Sequence, residues 1–144
     1  DESCKNFNTN AKLNPPLSCE KDRMELLRAL RDGEIDMLTT LHQPSSPVNK
    51  EVAFYDAAYG CEGLKNAMSL YYTKLVKSGV VSMSDLVKLC VKNPLEAIGE
   101  SGGTLEVGQR ANAMLFNPHK TLTMNDKLSL YDGEELWGEI KAVF

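Results

Sequence analysis

What this sequence lacks narrows the reading first. No apolar run approaches the roughly 18 residues that a membrane-crossing helix needs. Asp1-Glu2-Ser3-Cys4-Lys5 has neither the basic start nor the apolar stretch of a secretory leader. Basic charge is not in excess: 16 Lys and Arg face 20 Asp and Glu, a net charge of −4, which argues against a nucleic-acid partner. No Gly-x-Gly-x-x-Gly or Gly-x-x-x-x-Gly-Lys-Ser/Thr run is present to cradle a phosphate. No Gly-x-Ser-x-Gly elbow or Cys–His pairing suggests covalent catalysis. Cys4, Cys19, Cys61 and Cys90 form no Cys-x-x-Cys pair and match no zinc-ribbon or finger spacing, so they read as reduced side chains, Cys19 and Cys90 on apolar helical stripes. The expectation is a soluble, cytoplasmic protein with no nucleic-acid or membrane partner.

What is present suits one domain, or one and a small appendage: 144 residues, 42 % apolar and 25 % charged. Asn14-Pro15-Pro16-Leu17 reads as extended chain, the end of a strand or a rigid loop, and a strand is expected over residues 7 to 13. Ser18 is the expected N-cap of a first helix, with Glu20 and Asp22 in its first turn and Gly33 at its end. Ile35 to Leu41 reads as a second strand, followed by a turn-rich stretch with Pro44 and Pro47. A second helix is expected from about Gly63 to Ser78, stopped by Gly79. Ser82-Met83-Ser84-Asp85 is a capping box that opens a third, with Met83, Leu86, Val87 and Cys90 as its buried stripe. Asn93-Pro94 starts a short fourth helix closed by Gly99. Beyond Gly102 only β-like pieces remain, at 104–107, 113–116, 121–124 and 136–144, separated by glycines and Asn-Pro or Asn-Asp turns. Two helix-feeding strands are a piece of a parallel sheet and cannot bury both of its faces alone.

An ordered series of motifs resembles the dihydroorotases, in the amidohydrolase superfamily. Lys12-Leu13-Asn14-Pro15-Pro16-Leu17 is similar to their Lys-x-Asn-Pro-Pro-Leu-Arg segment. Gly33-Glu34-Ile35-Asp36 followed by Thr40-Leu41-His42-Gln43-Pro44-Ser45 resembles Gly-Thr-Ile-Asp followed by Thr-Asp-His-Ala-Pro-His. Lys50-Glu51, Phe54, Gly60-Cys61-Glu62-Gly63-Leu64, Asn93-Pro94, Gly103 to Gly108, Asn112 to Pro118 and Tyr131-Asp132-Gly133 continue it in the same order. The resemblance implies an α/β fold: residues 1–99 as the C-terminal portion of a (β/α)8 barrel, and 100–144 as strands of a small C-terminal antiparallel β-sandwich segment. Asn14 and Leu41 to Ser45 would then lie in the loops at the C-terminal ends of barrel strands, where such barrels carry their chemistry.

The family interconverts carbamoyl aspartate and dihydroorotate in pyrimidine biosynthesis, using zinc. Carried over by position, the catalytic set here is incomplete. Asn14, a substrate-contacting position, is kept, and Gly63 is a second substrate-binding candidate. The family's carboxylate-binding Arg is Ser18 here, its substrate-contacting His is Ser45, and its metal-binding, proton-transferring Asp is Leu41. An aliphatic side chain offers neither a lone pair nor a titratable proton, so no catalytic or metal residue is assigned and no cofactor is expected in this chain. His42 has no Cys or acidic partner in its own loop and reads as a structural, hydrogen-bonded histidine; His119 reads as a surface turn residue. The reading is a non-catalytic dihydroorotase-like protein with a structural or scaffolding role. The alternative is an active zinc-dependent dihydroorotase, or related cyclic amidohydrolase, with an altered site and metal ligands from upstream sequence. The implied partners are an upstream barrel segment or another copy of the chain, and aspartate carbamoyltransferase.

Overall fold

The structure is a computed structural model that describes residues 2–109 and 111–144. Two 3-10 segments, Glu2–Phe7 and Thr9–Ala11, precede five helical elements: α1 (Glu20–Arg31), α2 (Pro47–Lys50), α3 (Ala67–Tyr71), α4 (Met83–Val87) and α5 (Asn93–Ala97). Two strands follow, β1 (Met114–Thr123) and β2 (Glu135–Val143), paired as an antiparallel hairpin. The chain forms two compact units, one of Asp1–Leu27, Thr40–Ala67 and Thr123–Glu135, the other of Arg28–Thr39, Met68–Leu122 and Leu136–Phe144. Both units draw on residues before and after position 99.

Helix ends follow local chemistry closely. After α1, the Glu34 N–H bonds the Ala29 carbonyl and the Gly33 N–H that of Leu30, with Gly33 at φ +75°. Val80 to Leu75 and Gly79 to Val76 repeat the pattern, as do Glu100 to Leu95 and Gly99 to Glu96. Each is a Schellman closure, whose left-handed residue is inexpensive only as glycine. Ser82 and Asp85 form the expected reciprocal capping box. The N-cap of α1 is Cys19 and not Ser18: the Arg23 N–H bonds the Cys19 carbonyl and the thiol donates to Asp22. Cys19 is therefore exposed at a helix end instead of lying on an apolar stripe.

Helix α3 continues as a π-helical turn, Tyr72–Val76, and α4 as another, Lys88–Lys92. The second has a visible cause. Pro94 in α5 has no N–H and its ring crowds the carbonyl four residues back, and widening to the Asn93-to-Lys88 bond gives that carbonyl room. The buried positions are Leu86 and Leu89, while Met83 and Val87 remain exposed, contrary to the expected stripe.

The strands expected at 7–13 and 35–41 do not form. Asn8 caps a 3-10 turn through the Asn10 N–H, and Asn6 and Phe7 both have positive φ. Residues 35–41 carry no ladder; the Leu38 N–H finds a lone acceptor, the Leu89 carbonyl. A parallel strand exists through its neighbours, and this chain does not supply them. Likewise 104–107 forms no strand, and Leu105 and Val107 stand exposed.

The pieces at 113–116 and 121–124 merge into one strand through Asn117-Pro118-His119, which is not a turn. A two-stranded sheet leaves each strand an open edge, where a proline's missing N–H breaks no ladder bond. His119 is accordingly an exposed strand residue. In the second unit α3 meets β2 through polar contacts: Ser69 Oγ donates to the Gly138 carbonyl at 2.6 Å, and the Trp137 N–H donates to Thr73 Oγ1 at 2.7 Å. Leu86 and Leu136 are fully buried there, each stabilising that unit by about 1.5–3 kcal/mol.

Candidate functional site

Within the first unit, the segment Thr40–Ser45 runs beside Cys61–Gly63. His42 and Cys61 form an isolated parallel bridge, and the Gln43 N–H donates to the Cys61 carbonyl at 3.1 Å. Both approaches depend on glycine. A Cβ on Gly60 would overlap Gln43, and one on Gly63 would stand 2.6 Å from the Thr40 carbonyl oxygen. These glycines therefore serve a close crossing of two backbones. Leu41, at the head of the loop, has φ +46° and is 54 % exposed.

His42 is the polar centre of this crossing. Its backbone N–H donates to Thr40 Oγ1 at 3.2 Å, and its Nδ1 lies 3.3 Å from the Gly63 nitrogen and 3.1 Å from Glu62 Oε1. The acidic and Cys neighbours that the loop of His42 does not itself supply, Glu62 and Cys61, come from a segment about twenty positions away, brought in by the parallel bridge. The Lys65 N–H, seconded by that of Leu64, holds the Glu62 carboxyl below its ordinary range against the opposing effect of burial. Burial pushes the Cys61 thiol up, against the opposing influence of Lys50.

Lys50 anchors the neighbouring chain. It is 4 % exposed, and its ammonium donates to the carbonyls of Thr9 at 2.9 Å and Ala58 at 2.8 Å, while Thr9 Oγ1 donates to the Lys50 carbonyl. Burial pushes its pKa down. Lys12 lies under Tyr59 at 4.8 Å from the ring centroid and donates to the Tyr55 carbonyl. Sequence reasoning missed Glu62, Lys50 and Lys12 as site-building residues. Only Glu62 had a local signal, a carboxylate two and three residues ahead of the N–H groups it accepts.

The residues carried over from the resemblance lie in this unit. Asn14 and Ser18 are exposed and Ser45 is half-buried. Gly63 is half-buried, with its N–H directed to His42. Among the described residues no three His, Cys, Asp or Glu side chains gather as a metal-binding group. Leu41 offers no donor atom and His42 has no second and third ligand gathered beside it, so the described residues do not fit a zinc site by themselves. A cavity of about 600 Å³ in the second unit, between Asp36 and Asp85, contains none of the carried-over residues. No helix among the described residues is long and apolar enough to cross a membrane.

No protein-family model matches the chain. It is similar to the dihydroorotase of Ruminiclostridium cellulolyticum, with 38 % identity over 96 % of this chain and 34 % of that protein. The dihydroorotase of Acetivibrio thermocellus is 45 % identical over 81 % of this chain and 28 % of its own length. In backbone the chain resembles L-hydantoinase (dihydropyrimidinase) from Arthrobacter aurescens, with TM-score 0.89 and 22 % identity over 99 % of this chain and 34 % of that one. Dihydropyrimidinase from Brevibacillus agri gives TM-score 0.86 and 20 % identity over 97 % of this chain and 33 % of that one. This chain reproduces about a third of the fold of these neighbours, and its described residues form a small α/β piece with a two-stranded antiparallel sheet. The curated relatives that the chain matches in sequence are dihydroorotases, and it spans about a third of their length.

Proposed function

We propose that this chain is a non-catalytic relative of the dihydroorotases with a structural or scaffolding role in pyrimidine biosynthesis, in the cytoplasm. The observation that carries the reading is Leu41. It holds the position where the family resemblance places a metal-binding, proton-transferring Asp, and it stands in a loop whose backbone is fixed by the His42–Cys61 bridge. Ser18 and Ser45, at the positions of the family's Arg and His, support the same reading. The partners proposed are the remainder of a barrel, supplied by an upstream segment or by another copy of the chain, and aspartate carbamoyltransferase. The retained Asn14 favours the second reading, an active cyclic amidohydrolase with an altered site whose metal ligands lie outside this chain.

The deciding experiment is dihydroorotate hydrolysis by the full-length polypeptide with added zinc, compared for the parent, Leu41→Asp, and the triple variant Leu41→Asp, Ser45→His, Ser18→Arg. Turnover by the parent overturns the non-catalytic reading. Activity confined to the triple variant supports it. Silence from all three places the defect beyond these positions.

A further inference from the structure

The two neighbours of His42 Nδ1 make incompatible demands. The Gly63 N–H, 3.3 Å away, needs Nδ1 as an acceptor; Glu62 Oε1, 3.1 Å away, needs it as a donor. With the ring proton on Nε2, the Nδ1 lone pair takes the Gly63 N–H. With Nδ1 protonated, the ring donates to Glu62 and the Gly63 N–H loses that acceptor. We propose that His42 is a proton-operated latch between the 40–45 and 60–63 segments: uptake of one solvent proton at Nδ1 moves the ring's hydrogen bond from the Gly63 amide to the Glu62 carboxylate.

The surroundings leave the imidazole as the group that changes state. Glu62 Oε1 is fixed by the N–H groups of Leu64 and Lys65, at 2.9 and 3.1 Å, and stays ionised. Lys65 acts on Glu62. Cys61, the bridge partner, has its thiol pushed up by burial and stays neutral, with Lys50 acting on it. Thr40 contributes an uncharged hydroxyl that accepts the His42 N–H. The switch acts on the backbone crossing itself, since the amide it releases belongs to the residue whose Cα closes on the Thr40 carbonyl. It does not depend on whether the protein turns over a substrate.

Long-range proton–nitrogen NMR correlations on the 144-residue chain, from about pH 5 to about pH 9, test the latch across the range where imidazoles titrate. The chain has two histidines, and the exposed His119 is the internal control. At the alkaline end His42 is expected as the Nε2–H tautomer. On acidification the Gly63 amide proton should move upfield and exchange faster with solvent, in step with protonation of Nδ1. In His42→Gln the Gly63 resonance should lose this response. An Nδ1–H tautomer at the alkaline end, or a Gly63 amide indifferent to the titration of His42, would overturn the proposal. Both signals are read on the parent, so the test stands even if His42→Gln does not fold.

Discussion

A methyl group on Gly63 would stand 2.6 Å from the carbonyl oxygen of Thr40, inside any allowed contact. The neighbour is backbone and cannot rotate away, so the two segments would have to separate, straining the Gln43-to-Cys61 bond beside them. Gly63→Ala is expected to destabilise the fold by about 1–3 kcal/mol, as overpacking does. Urea unfolding should give a lower midpoint with an unchanged slope. An unchanged midpoint would show that the crossing is not a fixed element.

Two other glycines separate conformational strain from collision. Gly99 has φ +74° and nothing within 4 Å of an added Cβ, so Gly99→Ala should cost only the left-handed backbone penalty, about 1–2 kcal/mol. Gly138 has φ +94°, and its Cβ would overlap the Phe116 ring, itself packed edge-on against Tyr72 at 5.2 Å. Gly138→Ala adds the collision to the strain and should be the more damaging change by about 1–3 kcal/mol. Equal losses in thermal unfolding would mean that the Phe116 ring moves aside freely.

Lys50 predicts a stability that grows with pH. Burial lowers its folded pKa, so at neutral pH the folded state keeps a proton it holds poorly. As pH rises past that lowered value, the folded protein releases the proton while the unfolded chain keeps it until about pH 10.4. The unfolded state then binds more protons, and stability rises across the window. Measured against Lys50→Met, the parent should gain stability as pH rises from the lowered folded value of Lys50 toward the unfolded value of about 10.4. The variant should lose about 1–3 kcal/mol at neutral pH, because the Thr9 and Ala58 carbonyls lose their shared donor. A flat difference across the window would mean that burial does not perturb Lys50.

What could be read from the sequence divides along locality. Gly33, Gly79, Gly99 and the Ser82–Asp85 box are legible because a helix end is decided within six residues, by one dihedral angle and one side chain. The strands expected at 7–13 and 35–41 were not legible as absences, since period and β-branching describe a residue's fitness for a ladder and not the ladder's existence. Asn117-Pro118 misleads in the opposite direction: the dipeptide signals a turn, and only an open sheet edge lets it sit within β1. At the candidate site Leu41 could be read directly, being an identity at a position. Glu62 beside His42 could not, because their contact depends on two loops crossing where Gly60 and Gly63 have no side chain.

Leu41 itself yields the last expectation. Its φ of +46° places a γ-branched aliphatic residue in the left-handed region, which costs roughly 1–2 kcal/mol for residues other than Gly and is eased for Asn and Asp. Its side chain is 54 % exposed, so a carboxylate there would remain in water and would not incur the penalty of a buried charge. Leu41→Asn is therefore expected to raise stability by up to about 1 kcal/mol. Leu41→Asp should fold at least as well as the parent, and Leu41→Val, β-branched, should fold less well. Urea midpoints for the three variants check the order. A loss in Leu41→Asn would mean that the leucine's contacts outweigh its backbone strain. If the order holds, the fold tolerates the missing carboxylate, and an inactive Leu41→Asp protein cannot be attributed to unfolding.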